Sequence, residues 1–519
     1  MASDSTTTSI AASQPRASAF PYGADNTKLS GVVLAYVICV LTPIEVSLGS
    51  IALTPLRVLL LAMVVPLTVN LFSGRYGKLL ACDYLFFAHM AWATLAVAVN
   101  NPDRVLENVG SAAVEFLGGY LVARAFIRTP DQFQSLIKIL LFFIVLSLPF
   151  AVIETLDGRA VIPGIIDSIP GLTSVKQVQI PKRLGFYRVQ NVFSHPIHYG
   201  LFCSVALTLV FVGLKDKLSL PMRILGSAAV FLGTLMSLSS GALLPLVLQI
   251  GLIGWATVFK SVKRKWLMML GLFVLLYITI DLLSNRTPTK VFMSYATFSS
   301  QTAYYRSIIF DWGMINVWNN PVFGLGLRPW IRPFYMKQGS VDNYWLAMAM
   351  KYGIPGFILI VLGYFSALFK VGFQNLEFSE RVSRLRFAWM VTFCGLSFTL
   401  TTVHVWTAMY SFVFFFFGSG LWMANYTAED DGALPDVKAK DGEDPRPGRS
   451  LNYRRNLPPQ AQRPISQGPT YSRAVIDQES GRAAEVAKNT RPSQYSRPAD
   501  EGGQKLRFNR QTPKSTDDA

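Results

Sequence analysis

Charge is scarce in this chain. Asp, Glu, Lys and Arg make up 15% of its 519 residues, against about 25% in a typical soluble protein. Apolar types reach 51% and the mean hydropathy is +0.34. That combination excludes the three or four soluble domains that length alone suggests at ~150 residues each. Cysteine is sparse too: Cys39, Cys82, Cys203 and Cys394 each sit inside an apolar run, without a CxxC or a Cys/His cluster. There is no disulfide framework or zinc site to read, and such thiols usually behave as small buried hydrophobes. No P-loop, HExxH, GxSxG or GxGxxG after a strand is present. The chain is therefore not an ATP-driven pump by itself, and it carries no soluble-enzyme signature. Met1 to Lys28 is rich in Ser, Thr and Ala and lacks the basic-then-apolar order of a signal peptide, so the first span is expected to act as an uncleaved insertion signal.

What is present is a succession of apolar runs near the ~20 residues a membrane span needs. They fall at roughly 30–48, 53–72, 79–99, 110–127, 137–156, 197–214, 222–238, 240–259, 266–283, 350–370, 386–404 and 406–425. The expected fold class is an all-α polytopic membrane protein with about twelve transmembrane helices. Lys and Arg resist translocation in short loops. They recur in alternate loops, at Arg75 and Lys78, Arg124 and Arg128, Lys215 and Lys217, Lys260 to Lys265, and Lys370 to Arg386. This pattern puts both termini in the cytoplasm.

Charge is unevenly shared. The 93 residues from Thr427 on hold 16 Lys/Arg and 14 Asp/Glu, leaving 32 basic and 17 acidic residues for the rest. Two outer loops, about 157–196 and 284–349, break the positive-inside bias. The first carries Arg159, Lys176, Lys182, Arg183 and Arg188; the second carries Arg286, Lys290, Arg306, Arg328, Arg332 and Lys337. Long loops cross regardless of charge, so one reading is an ordinary exposed surface. The other is a single site for an anionic ligand, because grouped guanidinium groups suit phosphate. Residues 1–29 and 426–519 are read as disordered cytoplasmic tails flanking a membrane domain of residues 30–425. The C-terminal tail is rich in Pro, Gln, Arg, Ser and Asp and has too few apolar clusters to offset the entropy of ordering.

Three stretches concentrate polar side chains. Arg183, Arg188, Asn191, His195 and His198 fall within sixteen residues that open the sixth span. Pro196 suits a first helical turn, with Ser194 or His195 at the cap and free backbone N–H groups as a seat for phosphate oxygens. The alternative is that both histidines are merely interfacial. In the second stretch, Ile308, Trp312 and Ile315 at helical spacing predict an amphipathic surface helix with Arg306 on or near its polar face and Tyr305 beside it. The helix breaks at Asn319-Asn320-Pro321, and Gly324-Leu325-Gly326 before Arg328 allows a close backbone approach. This helix equally reads as a plain membrane anchor. The third stretch, Asp342-Asn343-Tyr344-Trp345-Leu346, precedes Gly353-Ile354-Pro355-Gly356. Helix capping accounts for Asp342 and Asn343, although Asp342 and Asp311 are the only carboxylates among the six basic residues of that loop.

In order, these motifs are Phe-x-His-Pro-x-x-x-Gly at 193–200, the hairpin Ser239-Ser240-Gly241, Asn-Pro-x-x-Gly-x-Gly at 320–326, Asp-Asn-Tyr-x-Leu at 342–346 and Gly-x-Pro-Gly at 353–356. Over roughly residues 30–425 the chain resembles the O-antigen ligase and polymerase superfamily of bacterial inner-membrane proteins, exopolysaccharide polymerases included. The resemblance implies a multispanning glycosyltransferase-like fold, independent of metals and cofactors, with its active face in the periplasm. It would take a glycan from an undecaprenyl-diphosphate carrier and join it to an acceptor; attack opposite the lipid phosphate would invert the anomeric centre. By the same resemblance Arg188 and Arg306 hold the diphosphate, and Asp342-Asn343 stands where the ligases carry a catalytic His-Asn. Carboxylate in place of imidazole favours polymerisation of repeat units over transfer to the lipid A core.

Chemistry read from the residues agrees. Guanidinium groups of Arg188, Arg306, Arg183 and Arg328 would stabilise charge on the leaving diphosphate. Asp342, His195 or His198 would deprotonate the acceptor hydroxyl, supported by Asn343, Tyr305 and Asn191. Expected partners are the lipid-linked glycan, membrane lipids, a polysaccharide flippase and a chain-length regulator; nucleic acid is not one. A transporter of lipid-linked glycan is the competing class. It would use intramembrane polar residues such as Asp83, His89 and Glu115.

Overall fold

The structure is a computed structural model that describes residues 28–48, 51–285, 287, 288, 291, 300–336 and 339–431. The chain divides into two units, 1–438 and 439–519, the second lying outside the described residues. So do most of both expected tails, and Arg286, Lys290 and Lys337 of the second loop.

Fourteen helices are used below: α1 Gly31–Leu41, α2 Pro55–Phe72, α3 Ala81–Asn100, α4 Ser111–Phe126, α5 Pro130–Asp157, α6 Val161–Asp167 and α7 Pro196–Ser204. They continue with α8 Leu220–Met236, α9 Ser240–Val258, α10 Lys265–Leu283, α11 Ser300–Asn319, α12 Tyr344–Gly372, α13 Glu380–Leu400 and α14 Thr407–Gly418. The helix starts share a local grammar. Thr54 and Thr129 each accept a hydrogen bond from the third backbone N–H beyond them, at 3.2 Å, and each is followed by proline. The proline lacks an N–H that would be orphaned there anyway.

Every expected span contains a helix, but the reading of twelve spans is only partly met. By length and composition, nine helical segments among the described residues suffice to cross a membrane. The segments α1 and α8 are shorter apolar helices, and α13 opens with Glu380, Arg381, Arg384 and Arg386. The first expected span extends to residue 48, yet its helix ends at Leu41. Ile44–Leu48 (β1) instead pairs antiparallel with Ile51–Leu53 (β2) and with Thr173–Ser174 (β3). Alternating Ile44, Val46 and Leu48 carry a strand pattern that a hydropathy window absorbs into the neighbouring helix.

Burial supports a membrane setting. Helix α10 is nineteen residues of apolar sequence with none buried, untenable in water and natural against lipid. Helix α14 is the opposite case. Phe412 to Phe417 are no more than 1% exposed, so an all-round apolar helix is packed on all sides. It packs on α3 and α4 through aromatic edges. Phe86 meets Phe116, Tyr120 and Phe414 with centroids at 5.1, 5.2 and 5.7 Å, contacts worth about 0.5–1.5 kcal/mol each beyond area burial.

Alternate connections collect at opposite ends. At one end β1 joins β3, Asn101 Oδ1 accepts from Leu327 N (2.8 Å), Arg183 donates to Leu238 O, and Tyr344 N donates to Val403 O (3.1 Å). These contacts link all the connections that the charge pattern places outside. At the other end Arg381 donates to Asp131 at 2.6 Å, Arg384 pairs with Asp216, and Arg124 donates to Lys78 O at 2.9 Å. The intramembrane polar residues are dispersed. Asp83 accepts from Tyr120 and Leu80 N, Glu115 pairs with Arg57 at 2.8 Å, and His89 Nδ1 donates to Gly356 O at 2.8 Å. They form three separate structural contacts, not one polar path.

Candidate functional site

The turn between α8 and α9 is the meeting point. Leu238 sits at φ 44°, a left-handed conformation rare for a non-glycine residue. Two arginines of the first long loop hold its carbonyls: Arg183 Nη1 donates to Leu238 O at 2.8 Å, and Arg188 Nε donates to Ser237 O at 3.4 Å. Arg183 is aimed by a tight hairpin, in which it exchanges 3.0 Å backbone hydrogen bonds with Phe186 across Leu184 (φ 52°) and Gly185 (φ 83°). From the second loop, Arg306 brings its Nη2 to 3.8 Å from where a β-carbon on Gly241 would lie, beside Ser239.

Arg306 is thus not on an exposed polar face, as helical spacing suggested. The packed stripe of α11 runs through Ile309, Gly313, Asn316 and Val317, while Ile315 is exposed. Gly313 lets Leu346 and Met350 of α12 approach closely, and this rotates Arg306 towards the interior.

The electrostatics follow from this crowding. Burial pushes Arg188 down to about 10, with Arg183 adding like-charge repulsion. Burial also lowers Arg306; Asp342 opposes that shift and Arg183 reinforces it. The Nε of Arg306 is buried without a hydrogen-bond partner. Asp342 is raised by burial, with the Arg306 charge acting the other way. Arg183 acts as a like charge on both Arg188 and Arg306, and Asp342 opposes it at Arg306, so the turn is short of negative charge. A group carrying that charge and several acceptor oxygens would complete it. Arg188 also lines a cavity of about 330 Å³ with Arg159, Glu154, Gln177, Gln179 and Gln190.

Aromatic rings form the next layer. His195 caps α7, its Nδ1 accepting from Ile197 N at 3.1 Å. The neutral ring therefore carries its proton on Nε2 and is a donor there. Burial, Arg188 and Arg183 push His195 down to about 4, so it is uncharged at neutral pH. Buried His198 packs 4.0 Å from the Trp406 ring, and its Nε2 meets no partner. Sequence reasoning passed over His404 and Trp406, which stand 6.1 Å apart in the connection between α13 and α14. Burial and the charge of Lys351 push His404 down to about 4. Two histidines upstream with no evident partner were the only signal of this second half.

Other anticipated residues go elsewhere. Arg328 donates to Asn100 Oδ1 at 2.6 Å and to Leu325 O, away from the turn at Leu238. Asn343 caps α12, accepting from Leu346 N at 3.0 Å. Asn191, buried at φ 52°, donates to Ser147 O, and Tyr305 is exposed beside Tyr304. Glu154, not anticipated at all, accepts from the backbone N–H groups of Gln190 (2.8 Å) and Asn191 (2.9 Å) and so fixes the segment that carries Arg188.

Residues 225–361 match the family model described as O-antigen ligase. The match supports the O-antigen ligase and polymerase superfamily. It runs from α8 into α12 and includes the Leu238 turn, Arg306 and Asp342, while Arg183, Arg188 and His195 precede it. It indicates O-antigen ligase-type, glycosyltransferase-like function for this membrane protein. No curated protein matches the chain.

Proposed function

We propose that the protein transfers a glycan from a polyprenyl-diphosphate carrier to a carbohydrate hydroxyl on the extracytoplasmic side of the bacterial inner membrane. The observation that carries this reading is the gathering of Arg183, Arg188 and Arg306, from two separate loops, around the turn at Leu238. A diphosphate would spread its oxygens over these donors. The acceptor oxygen attacks the anomeric carbon, the bond from that carbon to the diphosphate oxygen breaks, and the electron pair leaves with the diphosphate. The hydroxyl proton passes to the Asp342 carboxylate. Preorganised cations in a partly dehydrated site stabilise the leaving charge best.

Polymerisation of repeat units is the preferred form, because the resemblance implies that Asp342 stands where the ligases carry a histidine. Ligation is favoured by the description of the matching family. A flippase and a chain-length regulator are proposed partners. Surface polysaccharide from a deletion strain separates the two forms: lost long chains with single repeats retained means polymerase, and intact chains left on the carrier means ligase. For the mechanism, Arg306→Ala is expected to lower transfer by ~10²–10³-fold, the usual effect of losing a charge-stabilising donor. Arg306→Lys is expected to rescue little, because the planar fork is lost. Unchanged polymer yield in both variants at normal protein levels overturns the mechanism.

A further inference from the structure

A second cavity, about 290 Å³, opens at the same end of the bundle and is lined by Arg57, Glu107, Asn108, Glu115, Trp406 and Thr407, among others. Two local irregularities and an ion pair converge on it. Glu107 and Asn108 lie in a π-helical turn, Leu106–Gly110, a form that recurs at functional sites. Thr407 has φ 49°, a real outlier for a β-branched residue. Arg57 and Glu115 form a 2.8 Å ion pair in its wall. With that pair neutralised, Glu107 leaves the cavity anionic, the wrong sign for a diphosphate.

We propose that this cavity binds the acceptor saccharide, a reading that rests on the glycan transfer proposed above. An indole with amide and carboxylate groups around it is the chemistry that holds a sugar: the ring covers the C–H face, and planar polar groups take the hydroxyls. Position makes it the acceptor's site and not the donor's. Trp406 lines the cavity and packs 4.0 Å from His198 and 5.8 Å from His195. His195 in turn feels the charges of Arg188 and Arg183. Neither histidine lines the cavity, so the rings stand between it and the arginines. A hydroxyl reaching past Trp406 would enter the site by way of His195 and His198.

The test uses the full-length protein in nanodiscs and, as probe, the unlipidated repeat-unit oligosaccharide released by mild acid from the producing strain's own surface polysaccharide. Its binding is measured by calorimetry. Asn108→Ala and Trp406→Ala are expected to weaken it about tenfold, the loss of one good contact. Trp406→Phe keeps a planar face and is expected to stay within about threefold of wild type. Arg306→Lys is expected to leave it unchanged. Wild-type protein that binds no oligosaccharide, or Asn108→Ala that binds as wild type does, overturns the proposal. So does an Arg306→Lys loss equal to that of Asn108→Ala, which would seat the sugar among the arginines. Failure of the donor reading shows on a different readout, the turnover of lipid-linked donor by Arg306→Lys.

Discussion

Arg306 and Gly241 meet across the two halves of the site: the guanidinium Nη2 lies 3.8 Å from the point a Gly241 β-carbon would occupy. The same point lies 2.5 Å from Val403 Cγ2, closer than any real contact. Val403 accepts from Tyr344 N at 3.1 Å and thereby ties the Asp342 segment to the connection carrying His404. A methyl group at 241 therefore strikes the joint that holds Asp342, Arg306 and the histidines in register.

Gly241→Ala is expected to cut glycan transfer by about tenfold or more while the protein still inserts and folds, because overpacking of this kind costs ~1–3 kcal/mol. The check is polymer yield per unit of membrane-inserted protein. Activity equal to wild type would mean that the turn is not part of the working site.

The pH profile distinguishes the candidate bases. Burial raises Asp342 above the ordinary carboxylate range of ~3.9. It accepts a proton only when ionised, so activity rises as pH climbs through this elevated value and falls away below it. His195, held near 4 and neutral, adds no limb around 6.5. The expected result is an acidic limb that His195→Asn preserves, since Asn also caps a helix, and a rate that collapses in Asp342→Asn. A limb abolished by His195→Asn assigns the base to the histidine.

Glu154 gives a stability prediction. Its carboxylate oxygens accept from two buried backbone N–H groups, of Gln190 and Asn191. Glu154→Ala strands both, at about 1–3 kcal/mol for each unsatisfied group. Glu154→Gln keeps one good acceptor and should lose roughly half as much. Thermal unfolding in detergent should rank wild type above Gln above Ala, and donor turnover should fall in the same order, because this segment carries Arg188.

Most of the bundle is legible in the sequence, since apolar runs and Thr-Pro starts mark helices directly. The boundaries that slipped have local causes. Helix α12 begins at Tyr344, not 350, because Asn343 caps it and the chain continues through a kink at Gly353. The first span hid a strand because the alternation of Ile44, Val46 and Leu48 with Glu45 and Ser47 is averaged away in a hydropathy window of helical length. At the site, residue types were readable but directions were not. Asn191 and Asn343 look like ligand contacts and are spent on backbone groups. Trp406 looks like one more interfacial aromatic, yet it touches two histidines more than two hundred residues away. Only the packing of α11 on α12 turns Arg306 inward, and no periodicity in α11 alone encodes that.

The two glycine motifs of the second loop turn out to be one device. Leu325 N and Gly326 N donate to Met350 O (2.8 Å) and Lys351 O (3.0 Å), and Ile354 N donates to Pro321 O (2.7 Å). Gly353, at φ 73°, has the Val322 carbonyl oxygen 2.1 Å from its missing β-carbon, and Gly324, at φ 63°, faces Gly353 N at 2.6 Å. The kink in α12 thus frees backbone groups that the loop then pairs, which seats the C-terminal end of α11 and, through it, Arg306. Gly353→Ala must pay for both a left-handed side chain, ~1–2 kcal/mol, and a steric clash, ~1–3 kcal/mol. The expected outcome is a loss of about 2–5 kcal/mol, read as a large drop in thermal midpoint together with lost transfer. Gly251→Ala is the control: nothing lies within 4 Å of its β-position, and alanine within a helix should be neutral or stabilising by about 0.5–1 kcal/mol. A Gly353→Ala protein as stable and active as the Gly251→Ala control would show that the loop seats itself without the kink.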